Sequence, residues 1–220
     1  VLPLAGSVCI GMSPTMVPLF AFSIIEKVCT QHPEMHLQIR EEGSAALHEL
    51  LTSGRIELSI SPTRPDNEEI IGCEVLSEPV ILMYPRGWKI PADASLQDLA
   101  ALPWIVPRRP NSIRSIVDGV FATASLTPYV IVELDSLHNV IETVRRGLGV
   151  GAMVAGAIQG DLDSCALQAR PLGPVPPMRS MFLAHRRSPS LSPPAQFVYE
   201  MLLDVAAEAR GETPIAKAAH

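Results

Sequence analysis

Ser13 and Thr15 follow the apolar run Val8-Cys9-Ile10-Gly11-Met12, and Ser136, His138 and Asn139 follow Val132-Glu133-Leu134-Asp135. Small hydroxyl and amide side chains where a strand hands over to a helix cap some backbone N–H groups and leave others aimed beyond the strand, an arrangement that suits a small anion. Ser44 after Glu42-Gly43, and Ser61-Pro62-Thr63 after Ile56 to Ile60, repeat the pattern. Any one of these residues reads equally well as a plain cap or turn residue. Several such ends in one α/β chain point to a ligand cleft beyond the carboxyl ends of the strands.

The residues point to recognition, not turnover. Gly11-Met12-Ser13-Pro14 lacks the second glycine of a nucleophile elbow, and no ordered Asp and His partners can be assigned. Gly147-Leu148-Gly149-Val150-Gly151 follows a helix pattern and precedes a strand, the reverse of a dinucleotide loop, and reads as a helix stop. His32, His36, His48, His138, His185 and His220 form no i, i+4 pair and no Cys–His spacing of metal type. No cofactor or metal is therefore expected, and only His138, in the first turn after Ser136, sits at a candidate end. Arg108, Arg109 and Arg114 flank Asn111 and Ser112 at a further helix start. They could hold an anionic ligand by charge-assisted hydrogen bonds or belong to a solvated loop.

These candidates need a scaffold, and 220 residues that are 47% hydrophobic supply enough apolar side chains for one elongated domain or two lobes. With 17 Lys and Arg against 23 Asp and Glu the net charge is −6, which advertises no cationic face for nucleic acid. No signal peptide is recognised at Val1-Leu2-Pro3-Leu4 and no apolar run is long enough to span a bilayer, so a cytoplasmic location is expected. Cys9, Cys29, Cys73 and Cys165 stand singly in apolar surroundings and are expected to be buried thiols.

Periodicity predicts a strand over 7–12, a helix from Pro14 to about Gln31, a half-buried strand over 35–41, a helix from Ser44 until Gly54, and a strand through Ile56, Leu58 and Ile60. A long strand from Val75 to Tyr84 follows a polar, proline-bearing loop and could cross to a second lobe. There the order is a short helix at 96–99, a strand at 104–106, a helix over 112–124, a strand at 129–134, a helix over 136–146 and a strand through Val154. Strands at 166–172 and 179–185 come next. A helical stripe through Phe197, Val198, Met201, Leu202 and Val205 is expected to return to the first lobe, with a frayed tail beyond Arg210.

In sequence order, Gly6-Ser7-Val8-Cys9-Ile10-Gly11, Phe22 to Val28 leading to His32-Pro33-Glu34-Met35, Glu42-Gly43-Ser44, Leu50 to Ile60, Leu96 to Ile105 and Val144-Arg145-Arg146-Gly147-Leu148-Gly149-Val150-Gly151 resemble the effector-binding domain of LysR-type transcriptional regulators. Each piece is weakly specific, but their order and spacing are not. The resemblance covers nearly the whole chain. It implies an α/β fold of two Rossmann-like lobes joined by two crossover strands, periplasmic-binding-protein-like. Lobe I would be residues 1–74 and 186–220, and lobe II residues 75–185.

It further implies a small effector, a carboxylate or other anion, held between the lobes. The contacts carried over are Ser13, Pro14, Thr15, Ser44, Ser61, Thr63, Pro110, Asn111 and Ser112, with Ser136 added from the strand-end pattern. The implied partners are a second copy, paired through helices 14–31 and 112–125, a tetramer in the full-length protein, and DNA through an N-terminal winged helix-turn-helix absent from this chain. Glu57 stands where the family usually has Asp, and Pro62 where several members place a polar or cationic ligand group. A stand-alone solute-binding protein for a transporter is the alternative from another functional class.

Overall fold

A computed structural model describes residues 4–66 and 68–211. The chain divides into two compact units, one of residues 1–77 and 180–220, the other of residues 78–179. It passes between them twice, inside long strands at Ser77–Glu78 and Arg179–Ser180, a few residues from the boundaries at 74/75 and 185/186 expected from sequence.

The first unit opens with β1 (Gly6–Met12), α1 (Phe22–Gln31), β2 (Met35–Glu41), α2 (Ser44–Thr52), β3 (Leu58–Ser61) and the start of β4 (Ile70–Pro85). The second unit holds the rest of β4, then α3 (Leu96–Ala100), β5 (Trp104–Pro107), α4 (Ser112–Ala122), β6 (Val130–Leu134), α5 (Leu137–Arg145), β7 (Gly151–Val154), α6 (Gln159–Asp163), β8 (Leu167–Pro171) and the start of β9 (Met178–Arg186). α7 (Pro193–Ala209) completes the first unit.

In the first unit β1 pairs parallel with both β2 and β3, and β9 runs antiparallel to β3, giving the order β2-β1-β3-β9-β4. One face carries α1 and α7, whose Ile24, Val28, Val198, Met201 and Leu202 close over Val8, Ile10 and Leu58. The other face packs Leu47, Leu50 and Leu51 of α2 with Ile56 and Ala184. With helices on both faces the inner strands are dry. This is why all four residues of β3, Ser59 included, are buried, where the alternation of Ile56, Leu58 and Ile60 predicted a half-buried strand. β2, at the edge of that order, keeps the expected alternation.

The second unit repeats this plan. β5 and β6 are parallel, and β7 and β8 pair antiparallel with β4. α3 and α4 cover one side through Leu99, Ile113, Val117 and Phe121 around Trp104, and Leu137, Val140 and Val144 of α5 cover the other. Gly147 stops α5 at φ +83°, and a Cβ at Gly149 would run into the Pro103 carbonyl oxygen, which accepts the Val150 N–H. The glycine run is thus a helix stop, as its position in the sequence indicated, and also a close strand approach.

Three expectations are corrected. The helix placed from Pro14 begins later: residues 14–16 form a turn and Val17–Ala21 a single π-helical segment before α1, because Pro18 brings no N–H to the first α turn. The helix expected to reach 124 ends at Ala122. Cys29, Cys73 and Cys165 are exposed and Cys9 only half-buried; Cys29 and Cys9 point away from their buried neighbours Val28, Val8 and Ile10, Cys73 lies on an exposed stretch of β4, and Cys165 sits in a turn. The chain from 155 to 163, unassigned from sequence, forms a 3₁₀ turn and α6. The tail beyond Gly211 lies outside the described residues.

Candidate functional site

In the first unit the parallel register decides which residues meet. Met12 at the end of β1 lies opposite Glu41 of β2 and Ile60 of β3, so the segments leaving these strands start side by side. The backbone fixes them: Ser13 N–H donates to the Ile60 carbonyl at 2.9 Å and Glu42 N–H to the Met12 carbonyl at 3.2 Å. Ser13, Ser44 and Ser61 therefore follow three adjacent strand ends, as the sequence pattern required.

Their environments differ. Ser13 is 3% exposed, its carbonyl accepts from Met16 N–H at 2.8 Å, and its Oγ finds no hydrogen-bond partner among the described residues. Thr15 is also buried and its interactions are satisfied. Ser61 Oγ accepts from Thr63 N–H at 3.3 Å, closing a small turn around Pro62, with Thr63 itself exposed. Ser44 and Pro14 are half-buried, and Gly43 caps α2 without a side chain. A buried hydroxyl with no partner carries a desolvation cost of about 1–3 kcal/mol, so Ser13 is where a ligand atom would gain most.

In the second unit Pro107 of β5 lies opposite Leu134 of β6, and Arg108 N–H extends the ladder to the Leu134 carbonyl at 2.9 Å. This brings the loop Arg108–Asn111 beside Asp135 and Ser136. Here the side chains are committed. Asn111 Oδ1 caps α4, accepting from Ile113 N–H at 2.9 Å and Arg114 N–H at 3.3 Å, and Ser136 Oγ caps α5 through Asn139 N–H at 3.4 Å. For these two oxygens the cap reading is the one the geometry supports. His138 is exposed.

The three arginines are not an open anion cradle. Arg114, 5% exposed, donates through Nε to Asp118 at 3.0 Å and through Nη1 to Glu133 at 2.5 Å. Arg109 pairs with Asp118 at 2.5 Å and Arg108 with Asp135 at 3.5 Å. Glu133 and Asp135 come from β6 and the turn after it, which charge counting along the chain does not reveal, while Asp118 lies one turn on from Arg114 in α4 itself.

The sequence pattern missed Arg179. It is the second residue of the alternating strand β9, is 5% exposed, and donates from Nε to Ser112 Oγ at 2.9 Å. Burial pulls its guanidinium down to about 10, opposed by the charge of Glu78. Glu78 in turn is raised by its own burial, opposed by the Gly156 N–H that it accepts at 3.1 Å and by Arg179. An arginine just ahead of the apolar run Met181-Phe182-Leu183-Ala184 was the available signal. Among the described residues no group of His, Cys, Asp and Glu could hold a metal ion, and no helix is long and apolar enough to cross a membrane.

Comparison with known proteins places this arrangement. The family model for the LysR substrate binding domain matches residues 3–207. The nitrogen assimilation regulatory protein nac of Klebsiella aerogenes is 24% identical over 211 residues, covering 92% of this chain and 66% of that protein. The transcriptional regulator CysB of Haemophilus influenzae is 24% identical over 158 residues, covering 70% of this chain and 49% of that protein. The chain thus spans about half to two thirds of the length of these relatives.

Among solved structures, the cofactor-binding domain of the Cbl transcriptional regulator superposes with a TM-score of 0.79 at 18% identity, covering 94% of this chain and 93% of that one. The reduced regulatory domain of OxyR2 from Vibrio vulnificus gives 0.76 at 18% identity, covering 94% and 97%. These relatives are regulators, which sets aside the transporter solute-binding alternative. The fold is the periplasmic-binding-protein-like α/β architecture expected, and the chain belongs to the LysR substrate binding domain family.

Proposed function

We propose that this chain is the effector-sensing part of a longer, cytoplasmic bacterial transcription regulator, and that it recognises a small molecule without transforming it. The observation that carries the reading is the Ser13 hydroxyl, buried and unpartnered where three strand ends converge. Buried hydroxyls of natural domains are nearly always paired with protein, water or a bound molecule, so Ser13 has bonding capacity to offer a ligand. Ser13, Pro14, Thr15, Ser44, Ser61 and Thr63 supply the contacts of the first unit, and Pro110, Asn111, Ser112 and Ser136 those of the second. Backbone N–H groups and hydroxyls favour a carboxylate or another small anion. The Ser13 hydroxyl is shut off from solvent, so the ligand reaches it by movement of the Ser13–Met16 turn. An effector that binds the two positions of that turn unequally shifts their populations, which is the property a sensor needs.

The assembly follows the family resemblance: two copies paired through the segment 14–31 and the α4 region, a tetramer in the full-length protein, and DNA reached through an N-terminal domain. Phe22 and Ile25 of α1, 67% and 39% exposed, give the first of these faces an apolar surface that a second copy would cover.

A thermal-shift screen against carboxylates, amino acids, aromatic acids, inorganic anions, neutral amides and amines tests the reading. A ligand at about a hundred times its Kd adds roughly 2.7 kcal/mol to stability. The expected result is a hit in the wild type that Ser13→Ala loses while remaining folded. A hit that Ser13→Ala keeps, or no hit at all, overturns it.

A further inference from the structure

We infer that the second unit carries a further ligand site, a cleft beside β8 that takes a zwitterion with an apolar body, of which an α-amino acid with an apolar side chain is the simplest example. The cleft holds about 750 Å³, within the roughly 300–1,000 Å³ of small-molecule sites. Its walls come from the segment Ile90 to Leu96 and the segment Arg170 to Pro176, and none of the strand-end candidates lines it. The inference does not rest on the effector-sensing reading.

The fold builds these walls locally. β8 pairs antiparallel with β4, Arg170 opposite Leu82, and just beyond it Leu172 is buried in the core around Trp104 while Gly173, at φ +90°, turns the chain beside Leu96. Arg170 ties the two walls together, donating from Nη1 to the Pro91 carbonyl and from Nη2 to the Ala92 carbonyl at 2.8 Å. Ile90, Leu96, Pro171 and Pro174 make much of the lining apolar, and the Ser95 hydroxyl is engaged with Asp98.

Two charges of opposite sign are left over. Among the described residues Arg170 has no carboxylate partner, and its Nε–H, enclosed by protein, has no acceptor. Asp93, exposed on the turn between Pro91 and Ala94, lines the same cleft, and its carboxylate pairs neither with Arg170 nor with any other described group. A cation and an anion that share a cleft without pairing are complementary to a ligand that carries both charges. A plain carboxylate gains at Arg170 and is opposed by Asp93, and a plain amine meets the reverse. A ligand carboxylate, a stronger acceptor than a neutral carbonyl, takes Nε–H and Nη2–H side by side in place of Ala92, whose exposed turn gives its carbonyl to water. The ammonium group then meets Asp93, next in the chain, and the apolar body lies along Ile90, Leu96, Pro171 and Pro174.

Calorimetric titration with matched triads tests this: leucine with isocaproate and isoamylamine, and phenylalanine with hydrocinnamate and phenethylamine. Wild type is expected to bind an amino acid at least tenfold tighter than either of its singly charged analogues, with the methyl resonances of Ile90 and Leu96 moving. Asp93→Asn, which breaks no hydrogen bond, should erase the preference over the carboxylate and keep the preference over the amine. Arg170→Gln should do the reverse, and Arg170→Lys restore part of the loss. Ligand-free melting temperatures establish that the Arg170 variants are folded, and if they are not, Asp93→Asn decides. Analogues that bind as well as the amino acid, a preference that Asp93→Asn leaves unchanged, or no binding in either triad at millimolar concentration overturns the site. Binding that Ser13→Ala abolishes while Asp93→Asn and Arg170→Gln retain it belongs to the strand ends, which overturns this inference and leaves the effector-sensing reading standing.

Discussion

The two sets of strand ends are built alike and finished differently. In each unit parallel strands end in register, and the segments that leave them bring short polar side chains together. In the second unit those side chains are committed within the fold: Asn111 and Ser136 to helix caps, and Arg108, Arg109 and Arg114 to carboxylates. In the first unit the hydroxyl of the most buried candidate, Ser13, is left without a partner among the described residues. The contrast shows that a polar residue at a strand end says little until its hydrogen-bond capacity has been accounted for. Capacity already used stabilises the domain, and capacity left over is where a ligand can act.

The comparison breaks most visibly at Arg114. Arg114→Met would remove the buried guanidinium that holds Asp118 and Glu133, and is expected to lower stability by about 3 kcal/mol, read from the urea midpoint. A loss below about 1 kcal/mol would mean that the second unit's charges are solvated and uncommitted after all. Next comes Asn111→Ala, which strips two capped N–H groups from α4 and should cost about 1 kcal/mol in the same measurement, with Asn111→Asp tolerated.

Ser13→Ala should behave in the opposite sense. Because it removes a buried hydroxyl that bonds to nothing, stability should be unchanged or raised by up to about 1 kcal/mol. A clear destabilisation would show that Ser13 is structural like its counterparts in the second unit.

The smallest effect concerns the Ser95–Asp98 capping box at α3, where the Ser95 hydroxyl and N–H hold the Asp98 carboxyl below its ordinary pKa. A depressed carboxylate stabilises the fold above its unfolded pKa and loses that contribution as pH falls through the folded value. Asp98→Asn should therefore slightly flatten the decline of melting temperature on the acid side of about pH 4 and leave the neutral region's pH dependence unchanged.

Much of the frame was legible in the residues. Met35 to Glu41 alternates, and β2 occupies that span as an edge strand. Ser95 with Asp98 announces α3, Ser192-Pro193-Pro194 announces α7, and Gly147 announces the end of α5. All are signals read within one turn or one strand. β3 misled because two sheet faces bury it, a property of its neighbours β1 and β9 and the helices over them. The cysteines misled for a related reason: Cys29 follows buried Val28, yet the next residue on a helix turns by about 100° and faces solvent.

What the sequence determined by itself was the order of elements, the family they belong to, and the polar residues that terminate them, because propensity, capping and periodicity act over a few residues. The tertiary structure alone decided which polar groups are satisfied. Arg114 meets Glu133 across nineteen positions, Arg179 meets Ser112 across sixty-seven, and the Ser13 hydroxyl meets no partner among the described residues. Hydrogen bonds and ion pairs form through space at about 3 Å, and separation along the chain carries no information about that distance once the strands have paired.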